Sequence, residues 1–277
     1  WLPENHFGNQ RAMPSPLTLL AAVAARTRRL RLATTSYLLP IRDPLLAAEE
    51  VAVLDQLSGG RVILGVGRGI QPAMFRAFGI AERDKRKLFR QKLELMLRAW
   101  RGEPLCEDDA GKPVYLAPLP LQQPHPPVWV AAFGPLALAQ VGSLGLPYLA
   151  SPIETLAALR GNYMRHFESV RDAGRQPVAT VPVMRAVFVT PSPALADHVR
   201  TALGKAFPLA AGDGSIAVDE WAIVGDEAYV RDTLSRYTEE LGITHLIAGG
   251  PVTGIEEAAR VRSHEQLLAI AGDIGAG

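Results

Sequence analysis

Residues 54–69 read Leu-Asp-Gln-Leu-Ser-Gly-Gly-Arg-Val-Ile-Leu-Gly-Val-Gly-Arg-Gly. Leu54 and Leu57 close a helical pattern that opens at Asp43-Pro44 and passes through Leu46, Glu49, Glu50 and Val53. Gly59-Gly60 stops that helix, because glycine takes the left-handed conformation a helix C-terminus needs. The continuous apolar run that follows suits a strand buried on both faces, as in a parallel sheet. Directly after it, Gly65, Gly67 and Gly69 stand at alternate positions around Arg68. The unit is helix, buried strand, special loop.

The same arrangement recurs outward from this stretch. Apolar runs near 1–3, 30–38, 128–132, 146–150, 181–189 and 243–248 join 61–66 as expected strands. They end in Glu4-Asn5-His6, Thr34-Thr35-Ser36 and Ala131-Ala132-Phe133-Gly134, as well as in the glycine loop. Helical patterns lie between them, beginning at Pro16 with Ser15 as the expected cap and at Asp43-Pro44. Others cover 84–101, 135–144, 154–173, 193–206, 226–241 and 255–271. Special residues gathered at the carboxyl ends of many strands point to one site built by βα loops, as in a (β/α)₈ TIM barrel. The expected fold is one such domain over 1–277, with no break in composition. Seven strands are one short of a closed barrel, and Trp1 already stands in a strand. A first strand–helix unit of roughly 30 to 40 residues is therefore expected upstream. Two stretches, 102–127 and 207–224, read as insertions on the catalytic face.

Composition narrows the function classes. With 29 basic and 28 acidic residues the net charge is +1, so no global field draws nucleic acid or a membrane surface. Cys106 is the one cysteine, which excludes an internal disulfide and fits a reducing cytoplasmic setting. Neither a transmembrane run nor a signal-peptide pattern is visible. The histidines at 6, 125, 166, 198, 245 and 264 form no His-Glu-x-x-His or His-x-His pattern, so no metal site is expected. A Gly-x-Ser-x-Gly nucleophile elbow is also missing.

The glycine loop 65–69 lets a ligand approach the backbone and leaves N–H groups free for an anion, with Arg68 as counter-charge. Its spacing is not the dinucleotide fingerprint, and no Walker lysine follows. The basic run Arg83–Lys87 reads by default as a solvated helix face, and its sharper reading is a second phosphate arginine reaching back to Gly65–Gly69. Thr34-Thr35-Ser36 offers small hydroxyl side chains where a flat ligand could lie. His6 could exchange a proton near neutral pH.

Taken together, Trp1-x-x-Glu4-x-His6-Phe7, Leu30-x-Leu-x-Thr34, Pro40-x-x-x-Pro44, Leu54-Asp-Gln-Leu-Ser-x-Gly-Arg61 and Gly65-x-x-Arg68-Gly69 resemble the bacterial luciferase-like flavin monooxygenase family. Phe75-Arg-x-Phe-Gly79, Pro126–Ala132, Leu144–Pro147 and Val224–Ile243 extend the resemblance over most of the chain. It implies a barrel binding flavin mononucleotide at its strand ends. By position, Arg68 and Arg86 match the arginines that hold the flavin phosphate. Backbone groups at Ala132, Phe133 and Gly134, at a helix start, would complete that site. Thr35-Ser36 falls where the family often has a non-proline cis peptide beneath the flavin ring, and Glu4 and Thr34 border it. The position of luciferase's reactive cysteine is Gly67. Where luciferase has its catalytic histidine this chain has Asn5, which can hydrogen-bond but cannot exchange protons.

The resemblance therefore implies a monooxygenase that uses reduced flavin mononucleotide and oxygen on a small organic substrate, without light emission. Asn5 and His6 would serve the reacting oxygen. A separate flavin reductase and a homodimer are the implied partners. Hydride transfer with a deazaflavin coenzyme is the first alternative, although such relatives tend to carry Asp-His rather than Asn-His. A non-catalytic flavin-binding protein is the second.

Overall fold

The apolar run after Arg61 forms a strand of six residues, Val62–Gly67, all buried. In the computed structural model, residues 1–7, 12–207, 216–249 and 254–275 are described. They fall into two units, Trp1–Ala131 and Ala132–Gly277. The first contains strands β1 (Leu32–Ala33), β2 (Tyr37–Leu38), β3 (Val62–Gly67), β4 (Cys106–Glu107), β5 (Pro113–Val114) and β6 (Val128–Ala131). Its helices are α1 (Pro16–Arg26), α2 (Pro44–Ser58), α3 (Pro72–Ala77) and α4 (Lys85–Trp100).

β3 organises this unit. β1 pairs with its first half in parallel, Leu32 opposite Val62, and β2 with its end, Leu38 opposite Gly67. β6 runs parallel on β3 with Leu64 opposite Val128. The strand expected at 1–3 is reduced to a parallel bridge between Leu2 and Thr34. The strand expected over 30–38 is two short pieces, separated by a cis peptide between Thr35 and Ser36. All these carboxyl ends therefore point the same way.

The Leu54–Arg61 motif is a set of locks around β3. Asp43 caps α2 by accepting from the N–H groups of Leu45 and Leu46, and Gly59 ends it at φ 69°. Fully buried Asp55 accepts from the Gln122 backbone N–H at 2.8 Å and from its side-chain amide at 2.7 Å. Gln56 donates to the Leu119 carbonyl. Arg61 donates to the carbonyls of Ala24, Thr27 and Leu30, tying the end of α1 to the start of β3. The stretch 102–127 is accordingly not irregular throughout: it holds the β4–β5 hairpin and is pinned to α2. Ser15 makes no side-chain cap to α1, whose first turn relies instead on Pro16.

The second unit contains β7 (Tyr148–Leu149), β8 (Pro182–Val189), β9 (Ala222–Gly225) and β10 (His245–Ala248). Its helices are α5 (Pro135–Leu144), α6 (Leu156–Asp172), α7 (Pro193–Ala206), α8 (Glu227–Leu241) and α9 (Glu257–Gly275). The long β8 is shared: Pro182–Arg185 pair with β10 and Ala186–Val189 with β9, all in parallel. β9 corrects the sequence expectation, since its residues 222–224 fall within the expected insertion 207–224 and seven undercounts the strands. Gly212 and Gly214, which suggested that insertion, lie outside the described residues. What makes 222–225 a strand is burial: Trp221, Ala222 and Val224 pack with Phe188, Val199 and Leu203.

Asp55 offers a direct check on the locks. Asp55→Ala leaves two donors of Gln122 without their acceptor, which is expected to cost about 2–4 kcal/mol in urea unfolding. A loss below about 0.5 kcal/mol, the ordinary surface range, would remove Asp55 from this role.

Candidate functional site at the strand ends of the first unit

The parallel register gathers Glu4–His6, Thr35–Ser36 and Gly67–Gly69 at one edge of the first unit. Thr34 is buried, and its hydroxyl donates to the Gly65 carbonyl at 2.7 Å, bracing two strands. Thr35 and Ser36 are half-buried. The Ser36 side chain lies against Gly67: a Cβ added there would stand 2.1 Å from the Ser36 hydroxyl oxygen. Gly69, at φ 75°, adopts a conformation that suits glycine.

Glu4, expected among the cofactor contacts, is buried and hydrogen-bonded within the chain. Its side chain has no exposed surface. Oε1 lies in hydrogen-bond contact with His6 Nε2 at 2.7 Å and accepts from Arg42 Nη2 at 2.5 Å, and Oε2 accepts from the Leu38 N–H at 2.8 Å. Burial pushes the Glu4 carboxyl above the usual carboxylate range, while Arg42, the Leu38 N–H and His6 pull it back without cancelling burial. Arg42 lies 4.0 Å over the Tyr37 ring, and the Tyr37 hydroxyl donates to Glu50. The Lys92 ammonium of α4 donates to the carbonyls of Pro40 and Arg42, fixing the turn that carries Arg42. Asn5 is half-buried, and its backbone pairs with Met13. His6 meets Phe78 edge-on at 5.0 Å, and Phe7, at φ 60° and 54% exposed, packs against both.

At the other side of this edge stand two cations. Arg68 is half-buried and Arg86 exposed on the first turn of α4. Burial first, and the Arg86 charge second, push the Arg68 guanidinium below its ordinary range. Neither makes an ion pair or hydrogen bond among the described residues, whereas Lys85 of the same run is paired with Glu82. A like-charge pair without an acid is unfavourable by itself, and an anion relieves it.

Ala132, Phe133 and Gly134 begin the second unit. Ala132 is buried, Phe133 is exposed, and Gly134 precedes α5 at φ 80° with no side-chain cap on that helix. The second unit also holds a buried arginine the sequence did not single out. Arg185 donates to the Glu154 carbonyl and the Tyr237 hydroxyl, fixing the loop after β7. Arg42 and Lys92 were likewise missed, since a lone cation in a turn or helix carries no spacing signal. Among the described residues no group of three or more His, Cys, Asp or Glu side chains is placed to hold a metal ion. Nor is any helix there long and apolar enough to cross a membrane.

A family profile described as luciferase-like monooxygenase matches residues 1–245. The oxygenase component of the flavin-dependent trigonelline monooxygenase of Acinetobacter baylyi is 27% identical over 186 residues, 64% of this chain and 52% of that protein. The chain thus spans about half the length of that relative. Among solved structures, the monooxygenase RslO1 of Streptomyces bottropensis superposes with a TM-score of 0.81 at 26% identity, covering 95% of this chain and 84% of that one. The oxygenating constituent of 3,6-diketocamphane monooxygenase of Pseudomonas putida, in complex with FMN, gives 0.79 at 21% identity, with 96% and 85% covered. An F420-dependent secondary alcohol dehydrogenase gives 0.70 at 17% identity, with 86% and 78% covered. The α/β fold is that of the luciferase-like TIM-barrel monooxygenases.

Gly67 tests the packing of this edge. Gly67→Ala drives a methyl group into Ser36 and is expected to lower stability by about 1–3 kcal/mol. The companion Ser36→Gly/Gly67→Ala should recover most of that loss in thermal unfolding. A Gly67→Ala protein as stable as wild type would contradict the close approach.

Proposed function

The chain belongs to the luciferase-like monooxygenase family, and on that premise we propose that it is a flavin-dependent monooxygenase acting on a small organic substrate with reduced flavin mononucleotide and oxygen. The observation that carries the cofactor assignment is the Arg68–Arg86 pair, two cations without an acidic partner among the described residues, beside the glycine-lined end of β3. A terminal phosphate carries about −1.5 to −2 charges at neutral pH and accepts from several donors at once, which suits two guanidinium groups. Gly67 lets the Ser36 side chain close onto the end of β3, which sets the half-buried Thr35–Ser36 segment there to border the ring system. Reduced flavin, when bound, supplies the electrons that activate oxygen. His6 supplies a proton-exchanging group, and Asn5 a hydrogen-bonding one. With asparagine at position 5, the proposed outcome is substrate oxygenation rather than light. A separate flavin reductase supplies the reduced cofactor.

The F420-dependent neighbour motivates a second reading, hydride transfer by a deazaflavin without oxygen. The two readings separate in a binding titration. Flavin mononucleotide should bind, and Arg68→Ala should weaken it by about 10- to 100-fold, or roughly 1.4–2.7 kcal/mol. Arg86→Ala, at an exposed position, should weaken it less. Unchanged affinity in Arg68→Ala would refute the phosphate assignment. Tight deazaflavin binding with none for flavin mononucleotide would establish the second reading instead.

A further inference from the structure

We propose that Arg42 is a positioning residue for His6, acting through the buried Glu4 carboxylate so that His6 presents Nδ1 as its proton-exchanging nitrogen. This rests on the flavin monooxygenase reading for the use made of the proton, but not for the geometry.

The geometry starts from what Glu4 can accept. With no exposed surface, its carboxylate has only protein donors, and three reach it: His6 Nε2, Arg42 Nη2 and the Leu38 N–H. Arginine and the backbone amide are obligate donors, so Glu4 serves as an acceptor toward both. The same Oε1 lies 2.7 Å from His6 Nε2, and against the ionised carboxylate that nitrogen carries the hydrogen. Nδ1 has no hydrogen-bond partner among the described residues. When Nδ1 is protonated the ring is a cation. When that proton passes to an acceptor, the bonding pair stays on Nδ1 and neutral imidazole retains its hydrogen on Nε2. The Glu4 contact survives both states, so the ring need not turn during the exchange.

Arg42 is what makes this corner hold. Burial works against the charged form of Glu4, and Arg42 is the largest opposing influence. Without it, burial acts on the Glu4 carboxyl with only the Leu38 N–H and His6 opposing it, and the acceptor for His6 weakens. The placement of Arg42 is itself braced from several sides. Its carbonyl accepts from Lys92, its guanidinium covers Tyr37, and its Nε is buried without a hydrogen-bond partner among the described residues. An unsatisfied buried N–H is costly, and it is tolerated where the rest of the group is tightly committed. The aromatic rings of Phe7 and Phe78 close the remaining sides of His6.

The test is nuclear magnetic resonance of ¹⁵N-histidine-labelled full-length protein, with the His6 signal assigned by its loss in His6→Gln. Wild type should show a downfield His6 ring N–H at Nε2 that exchanges slowly with solvent. Arg42→Met should abolish that resonance or speed its exchange at least ~10-fold, an opening free energy lower by about 1.4 kcal/mol. Arg42→Lys, which restores a cation, should keep it. Both variants should bind flavin mononucleotide as wild type does, because Arg68 and Arg86 are untouched. A protected Nε2–H that persists in folded Arg42→Met overturns the proposal. Should Arg42→Met not fold, the wild-type spectrum still decides: a ring hydrogen on Nδ1 alone, or none protected, overturns it. Failure of wild type to bind flavin mononucleotide, with the protected Nε2–H present, defeats the flavin reading while leaving this geometry intact.

Discussion

A carboxylate without exposed surface fixes the chemistry-bearing edge of the first unit. Glu4 joins three places in the chain: His6 two residues on, Leu38 at the end of β2, and Arg42 just before α2. A buried carboxylate is stable only if every lone pair finds a donor and an opposite charge stands close. Glu4 has hydrogen-bond partners on both oxygens and Arg42 beside it, and those partners become constrained in turn. The exposed aromatic Phe7 and the braces from Lys92 and Tyr37 all follow from holding that one group in place. Glu4 is thus a scaffold for its neighbours.

The opposite side of the edge works by the reverse logic. There the charges are left unmatched. Arg68 and Arg86 stand close enough to disfavour one another, with no acid among the described residues to relieve them. Structural arginines in this protein look different: Arg61 reaches four backbone carbonyls, and buried Arg185 is bound by carbonyls and a tyrosine hydroxyl. That contrast separates a guanidinium that holds the fold from one free to receive an anion.

Much of this was legible in the sequence because the signals were local. The run 62–67 reads as a buried strand since every residue is apolar or glycine, and Gly59 and Asp43 mark helix ends by conformation and capping. The motif Leu54–Arg61 was recognised as specific, and its residues turn out to be long-range locks to 24–30 and 119–122. The misses share a cause: they depend on partners distant in sequence. Ala222–Gly225 is a four-residue strand whose only distinction is the core it enters, so the glycines upstream of it misled. Thr34 and Glu4 were placed on the correct edge, but their bonds to Gly65 and Arg42 could not be read from residue type. The cis peptide at Thr35–Ser36 was legible only through resemblance, and the break of 30–38 into two pieces was not anticipated.

The central claim is that this edge recognises a flavin by its phosphate. Its most direct measurement compares equilibrium binding of flavin mononucleotide with that of riboflavin, which has the same ring and ribityl chain but no phosphate. Flavin mononucleotide should bind at least about tenfold more tightly, a difference of about 1.4 kcal/mol that shrinks as salt screens the arginines. Equal affinity for the two at low salt would contradict the account.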